Sequence, residues 1–310
     1  MSTLYTHQSS NIRKTWLLMS LFFGVVIAIG WIFSGAYGNP SILYFAVFFS
    51  ILMNVVGYWF SDKIALALHH AKPVEMKSNP ELYRILENLS ITAGLPMPKF
   101  YLIQDPAPNA FATGRNPKNA SVAVTTGLLE KLERSELEGV LAHELSHIGN
   151  RDMLVSTVAV VLVGFVSIVA DMFMRSMWFG GMSNDDDRGK AGGFLVIIGI
   201  LLSILAPIFA SLIHLAISRR REFLADASGA LLTRYPEGLA SALGKIASYG
   251  RPIRTATNAT AHLFFENPFG ADRDGDGIPD HKQKTPWIVK IFSTHPPIEE
   301  RIKILKNLKV

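Results

Sequence analysis

The 310-residue chain carries 30 Lys+Arg against 25 Asp+Glu, a net charge of +5, with 49% hydrophobic and only 18% charged residues. Soluble domains run at about 25% charged, so the deficit points to a membrane protein, and the modest charge excludes the dense basic field of a nucleic-acid binder. The absence of cysteine excludes disulfides, thiolate metal sites and cysteine nucleophiles, so any transition metal must be held by His, Asp or Glu.

In chain order, residues 16–33 and 41–60 form two long uncharged stretches, and residues 153–170 and 194–218 form two more. Each is about as long as the 20 apolar residues that a crossing helix needs. The alternative for the second pair is a buried hairpin in a soluble core. The alternative for residues 16–33 is a cleaved signal, but the run is longer than a signal core and a second apolar run follows at once. The reading is two membrane hairpins, 16–60 and 153–218, after a cytoplasmic segment 1–15. Arg13 and Lys14 precede the first span, Lys63, Lys72 and Lys77 follow the second, and Arg219, Arg220 and Arg221 follow the fourth. The connecting loops carry no such excess, so the positive-inside rule puts the termini and the polar segments 61–152 and 219–310 in the cytoplasm.

Segment 61–152 reads as mixed α and β. Ser78-Asn79-Pro80-Glu81 predicts a helix start leading into residues 82–93. Residues 99–103 and 121–125 predict strands, with 109–113 between them. Ser135-x-x-Glu138 predicts the capping box of a helix with Leu137, Val140, Leu141, Leu145 and Ile148 on its apolar face. That helix carries His143-Glu144-Leu145-Ser146-His147. Histidines four apart project from one helix face, so both rings can reach one ion, and Glu144 beside them can reach a water on it. This is the arrangement of zinc peptidases.

Catalytic zinc takes a third protein ligand and keeps one position open. His214, His262, His281 and His295 could supply it, and so could the acid pair Glu222 and Asp226. Two acids one helical turn apart repel unless a cation or hydrogen-bond donor stands between them. Glu222 on the metal with Asp226 on a ligand histidine satisfies both. A solvated helix pairing these acids with Arg219–Arg221 fits the spacing equally well. Helices at 219–233, 236–249 and 297–308 complete the chain.

His143-Glu144-x-x-His147 followed by Glu222-x-x-x-Asp226, with Asn109-Ala110-Phe111-Ala112-Thr113-Gly114 upstream and Ser293-Thr294-His295-Pro296-Pro297 near the end, resembles the HtpX-type membrane zinc metallopeptidases. These belong to the gluzincin group that includes the CAAX prenyl endopeptidases. The resemblance runs over essentially the whole chain. It implies an α+β membrane protein, with four transmembrane helices and a mostly helical zincin-like catalytic domain holding a small β-sheet. It implies one zinc ion on His143, His147 and Glu222, Glu144 as catalytic acid/base, Asp226 behind a ligand, and Asn109 and His295 lining the substrate cleft. The function implied is a multi-pass endopeptidase of the bacterial inner membrane, cutting misfolded membrane proteins or peptides at the cytoplasmic surface during stress. The alternatives are a processing peptidase for lipid-modified or signalling peptides and a non-catalytic zinc-binding scaffold.

One segment departs from the family. At 271–284, Asp272-x-Asp274-x-Asp276-Gly277-x-x-Asp280 alternates carboxylates and closes on Gly, which is calcium-loop chemistry. Gln283 stands where an EF-hand needs Glu, so only the shorter calcium loops fit. A solvated acidic insertion is the favoured reading, with Ca2+ the alternative.

Overall fold

The computed structural model describes residues 4–162, 164–165, 219–257, 260–268 and 296–308. Two helices, α1 (Leu4–Tyr37) and α2 (Ser41–Trp59), pack side by side, and both are long and apolar enough to cross a bilayer. Gly30 lets them close up, since a Cβ there would overlap the Ala46 side chain. Trp16, Trp31, Tyr44, Phe45, Phe48 and Trp59 stand exposed on the pair. Exposed apolar surface on this scale fits lipid and not water. Helix α1 begins at Leu4 and runs into the first span without a break, so the expected segment 1–15 is helical from its fourth residue.

A short helix, α3 (Ser61–Leu68), leads from the hairpin to a four-stranded sheet: β1 (Lys72–Pro73), β2 (Lys99–Ile103), β3 (Ala110–Gly114) and β4 (Ala120–Thr125). The order is β1-β2-β4-β3, with β2 parallel to β4 and β3 antiparallel to it, which makes β3 an edge among the described residues. The Val-Ala-Val run of β4 is buried throughout, as a central strand requires. The strand expected at 109–113 is shifted by one residue, and β1 is too short to leave a pattern in the sequence.

Helices α4 (Pro80–Thr92), α5 (Thr126–Lys131), α6 (Arg134–Asn150) and α9 (Pro236–Ala247) build the core with the sheet. Leu86, Leu141, Leu145 and Ile148 meet Val122, Val124, Leu239 and Leu243 there. Two helix starts differ from expectation. Before α4, Asn79 takes the cap position with Pro80 behind it, while the Ser78 hydroxyl turns back to donate to Glu75 O. At α6, Glu136 rather than Glu138 closes the box, its carboxylate accepting the Glu133 N–H at 2.8 Å. The same carboxylate accepts from Ser241 Oγ at 2.6 Å and Lys245 Nζ at 2.7 Å, so tertiary partners fix the start two residues earlier, with Glu133 at the cap. Glu138 accepts from Arg134 Nε instead.

Arg151, in the left-handed conformation at φ 58°, ends α6. Helix α7 (Asp152–Leu162) follows at once and buries Leu154, Val155, Val158 and Leu162 against Leu18, Met19 and Phe22 of α1. The third expected span therefore begins as an apolar helix inside the membrane bundle. The rest of it, the fourth span at 194–218 and the loop between them lie outside the described residues. Helix α8 (Arg219–Thr233) packs on α6, and α10 (Ile298–Asn307) closes over α9 and α8.

Candidate metal centre

One turn of α6 separates His143 from His147, and their Nε2 atoms stand 3.0 Å apart. Helix α8 brings Glu222 to the same point, with one oxygen 3.8 Å from His143 Nε2 and the other 3.6 Å from His147 Nε2. Donors of a tetrahedral zinc site about 2.0–2.1 Å from the ion lie about 3.3 Å from one another. The three residues fit that spacing, and all three ligand atoms lie within 4.8 Å. The close approach of the helices depends on Gly229, where a Cβ would stand 2.9 Å from the His143 nitrogen. Glu222, Asp226 and Gly229 share the face of α8 that meets α6.

Each ring is held from behind. His143 Nδ1 lies 2.9 Å from Asp226 Oδ1, and His147 Nδ1 lies 3.2 Å from Asp152 Oδ2. Such carboxylate–histidine contacts fix ring orientation at metal sites. Burial drives the His143 pKa down to about 4. Burial acts the same way on His147, but the Asp152 hydrogen bond and the Glu222 charge outweigh it and raise the pKa to about 9. Without a metal, a proton on His147 is the natural counter-charge to Glu222.

Glu144 is buried beside the pair. Desolvation, with the Glu222 charge behind it, lifts its carboxyl to about 7, against the opposing pull of His147. Its carboxylate accepts a hydrogen bond from the Ala112 N–H of edge strand β3.

Arg301 of α10 is fully buried beneath the acids. Its Nη2 and Nε donate to the two oxygens of Asp226 at 2.7 and 2.8 Å, and its Nη1 donates to Phe265 O at 3.2 Å. Glu222 and Glu266 lie 3.9 and 3.6 Å from Nη1. Burial alone would raise the Asp226 carboxyl, yet Arg301 holds it below the usual carboxylate range.

The structure thus brings together His143, Glu144, His147, Glu222 and Asp226. Asn109 is close by, but its amide pins another segment: Nδ2 donates to Glu266 O at 2.9 Å and Oδ1 accepts from Glu266 N at 3.2 Å. His262 sits apart, with Nε2 3.0 Å from Ser156 O. His214, His281 and His295 lie outside the described residues, as do Asp272, Asp274, Asp276 and Asp280. Sequence reasoning missed Asp152 and Arg301. The surplus of acids around one histidine pair was a signal that a buried cation had to exist.

The model of peptidase family M48 matches residues 76–309. A protease HtpX homolog of Caldanaerobacter subterraneus subsp. tengcongensis is 46% identical over 312 residues, covering 99% of both chains. One from Thermoanaerobacter pseudethanolicus is 47% identical over 310 residues, covering 99% of this chain and 98% of its own. The crystal structure of S. mikatae Ste24p superposes with a TM-score of 0.49 at 17% identity, covering 97% of this chain and 67% of that one.

Proposed function

The chain belongs to peptidase family M48, and from that membership we propose that it is a zinc-dependent endopeptidase acting on misfolded or surplus membrane proteins at the cytoplasmic face of a bacterial inner membrane. Membership makes it a membrane metallopeptidase. The observation that carries the finer reading is the convergence of three donors, His143, His147 and Glu222, on one point beside the buried carboxyl of Glu144.

Three donors leave the fourth tetrahedral position for water or substrate, the pattern of catalytic sites, whereas structural zinc is closed by four protein ligands. Zinc held there supplies Lewis acidity, polarising a peptide carbonyl and bringing the pKa of a water to about 7. Glu144 takes the proton from the attacking water and delivers it to the departing amide nitrogen. Asp226 and Asp152 keep the two rings turned toward the centre, and Arg301 offsets the clustered negative charge.

An extended substrate would add to edge strand β3, whose backbone reads peptide without regard to side chains. The outward carbonyl of Ala110 already accepts the Phe265 N–H at 2.8 Å and the Ala112 N–H already donates to Glu144, so a substrate would pair beyond those two groups. The membrane setting supports the choice of substrate. Helix α6 runs into α7 through one residue, and α8 begins where the fourth expected span ends, so both ligand-bearing helices adjoin spans. The Lys and Arg at 13–14, 63–77 and 219–221 support a cytoplasmic centre on a four-span protein.

The test is Glu144→Gln in the full chain, assayed on casein and on a detergent-solubilised membrane protein. Zinc content stays at the wild-type level, and cleavage drops by about 10²–10⁴-fold. Cleavage at the wild-type rate would remove Glu144 from the mechanism.

A further inference from the structure

The polar start of the first membrane helix reaches the back of the metal centre. Asn11 is 3% exposed and continues the buried face of α1 formed by Thr15, Leu18 and Phe22. Its Nδ2 donates to Asp152 Oδ1 at 2.5 Å and to Asn150 O at 3.0 Å. The other oxygen of Asp152 is the one that meets His147 Nδ1. Arg221 Nη1 stands 3.6 Å from Asp152 Oδ1 and directly precedes the ligand Glu222 in the chain. A second side chain of α1, Gln8, donates instead to a backbone oxygen, Gly149 O, at 2.7 Å.

A carboxylate held at one oxygen can still pivot about its own bond, and a pivoting partner cannot fix an imidazole. Asn11 removes that freedom by holding Oδ1 while Oδ2 faces the ring. Burial strengthens the arrangement, with Asn11 3% and Asp152 4% exposed. We propose that α1 is a working part of the metal centre: Asn11 positions Asp152, and Asp152 positions His147 for the metal. Asn11 and Asp152 are positioning residues, and the first membrane helix does more than anchor the enzyme. This rests on the zinc reading of His143, His147 and Glu222 given above.

The experiment uses the full chain in detergent, with zinc affinity measured by competition against a chromophoric chelator and folding followed by far-UV circular dichroism. Asp152→Ala weakens zinc binding by about 10–100-fold, the usual effect of removing such a partner. Asn11→Leu, which keeps the volume and suits a membrane helix, weakens it by about 10-fold. The double variant binds no more weakly than Asp152→Ala alone, because Asn11 acts only through Asp152. Gln8→Ala lowers Tm and leaves zinc affinity unchanged. Wild-type affinity in Asn11→Leu, additive losses in the double variant, or an equal loss in Gln8→Ala would each overturn the relay. Should Asp152→Ala not fold, Asp152→Asn takes its place, since it keeps the shape and loses the charge. A wild-type chain that binds no zinc overturns the zinc reading itself, whereas unchanged variants of a zinc-binding wild type overturn only the role of α1.

Discussion

Gly229 of α8 lies against the backbone of His143 in α6, so close that a Cβ on Gly229 would stand 2.9 Å from the His143 nitrogen and 3.1 Å from its Cα. Backbone on both sides leaves nothing flexible to yield. Gly229→Ala must push the two helices apart, at a cost of about 1–3 kcal/mol. Asp226 and Glu222, one and two turns earlier on the same face, move with the helix. Thermal unfolding and a zinc titration should both show the damage, and a variant with full zinc affinity contradicts the packing argument.

Arg301 is the cation that lets Asp226 stay ionised in a buried site. Arg301→Leu leaves that charge without its partner and should destabilise the protein by about 3–5 kcal/mol. Adding Asp226→Asn to Arg301→Leu removes the stranded charge, so stability partly returns while zinc affinity does not. Urea unfolding of the two variants compares them directly. Equal stability would mean that the bidentate pair matters less than its geometry indicates.

His69 gives the fold a pH dependence independent of the metal. It is packed edge-on against Phe111 and Phe264, with Nδ1 2.9 Å from Thr255 Oγ1. Burial first, and the neighbouring His70 second, push its pKa down from 6.5 to about 4. Between those values the unfolded chain binds a proton that the folded one refuses. Stability therefore declines as pH falls from about 6.5 toward 4, by up to about 3 kcal/mol from this group. In His69→Asn this component disappears, and Tm measured from pH 7 to 4 should slope less steeply than in the wild type. Parallel slopes would rule it out.

Metal removal should act on stability as well as activity. An ion that binds only the folded chain adds about 4 kcal/mol when its free concentration is 1,000 times its Kd. Calorimetry of the chelated wild-type protein should show a lower Tm that zinc restores. Glu144→Gln should respond in the same way, because Glu144 is no ligand, and Glu222→Ala should respond weakly. A Tm indifferent to zinc in the wild type would count against a site at His143, His147 and Glu222.

The parts of this protein that sequence reveals are those written in short range. Two histidines one turn apart, two acids one turn apart and a Val-rich strand are patterns of local periodicity, and the structure sets His143, His147, Glu222 and Asp226 around one point. The misplaced capping box shows where local reading stops. Ser135 is the better cap by propensity, yet Glu136 is held by Ser241 and Lys245 from α9, and those distant partners decide the helix start. Asn11, Asp152 and Arg301 escaped for the same reason. An asparagine in an apolar helix, an aspartate past a helix end and an arginine in an amphipathic helix are each ordinary alone, and only the tertiary fold puts them behind the ligands.

The bidentate pair between Asp226 and Arg301 spans 75 positions of the chain. Translation makes the amino-terminal partner first. A growing polypeptide thus contains both histidines and both acids 75 residues before the guanidinium that pairs with Asp226, and the buried charge balance is complete only once residue 301 has been made. Until then the Asp226 carboxylate stands behind His143 without its buried cation.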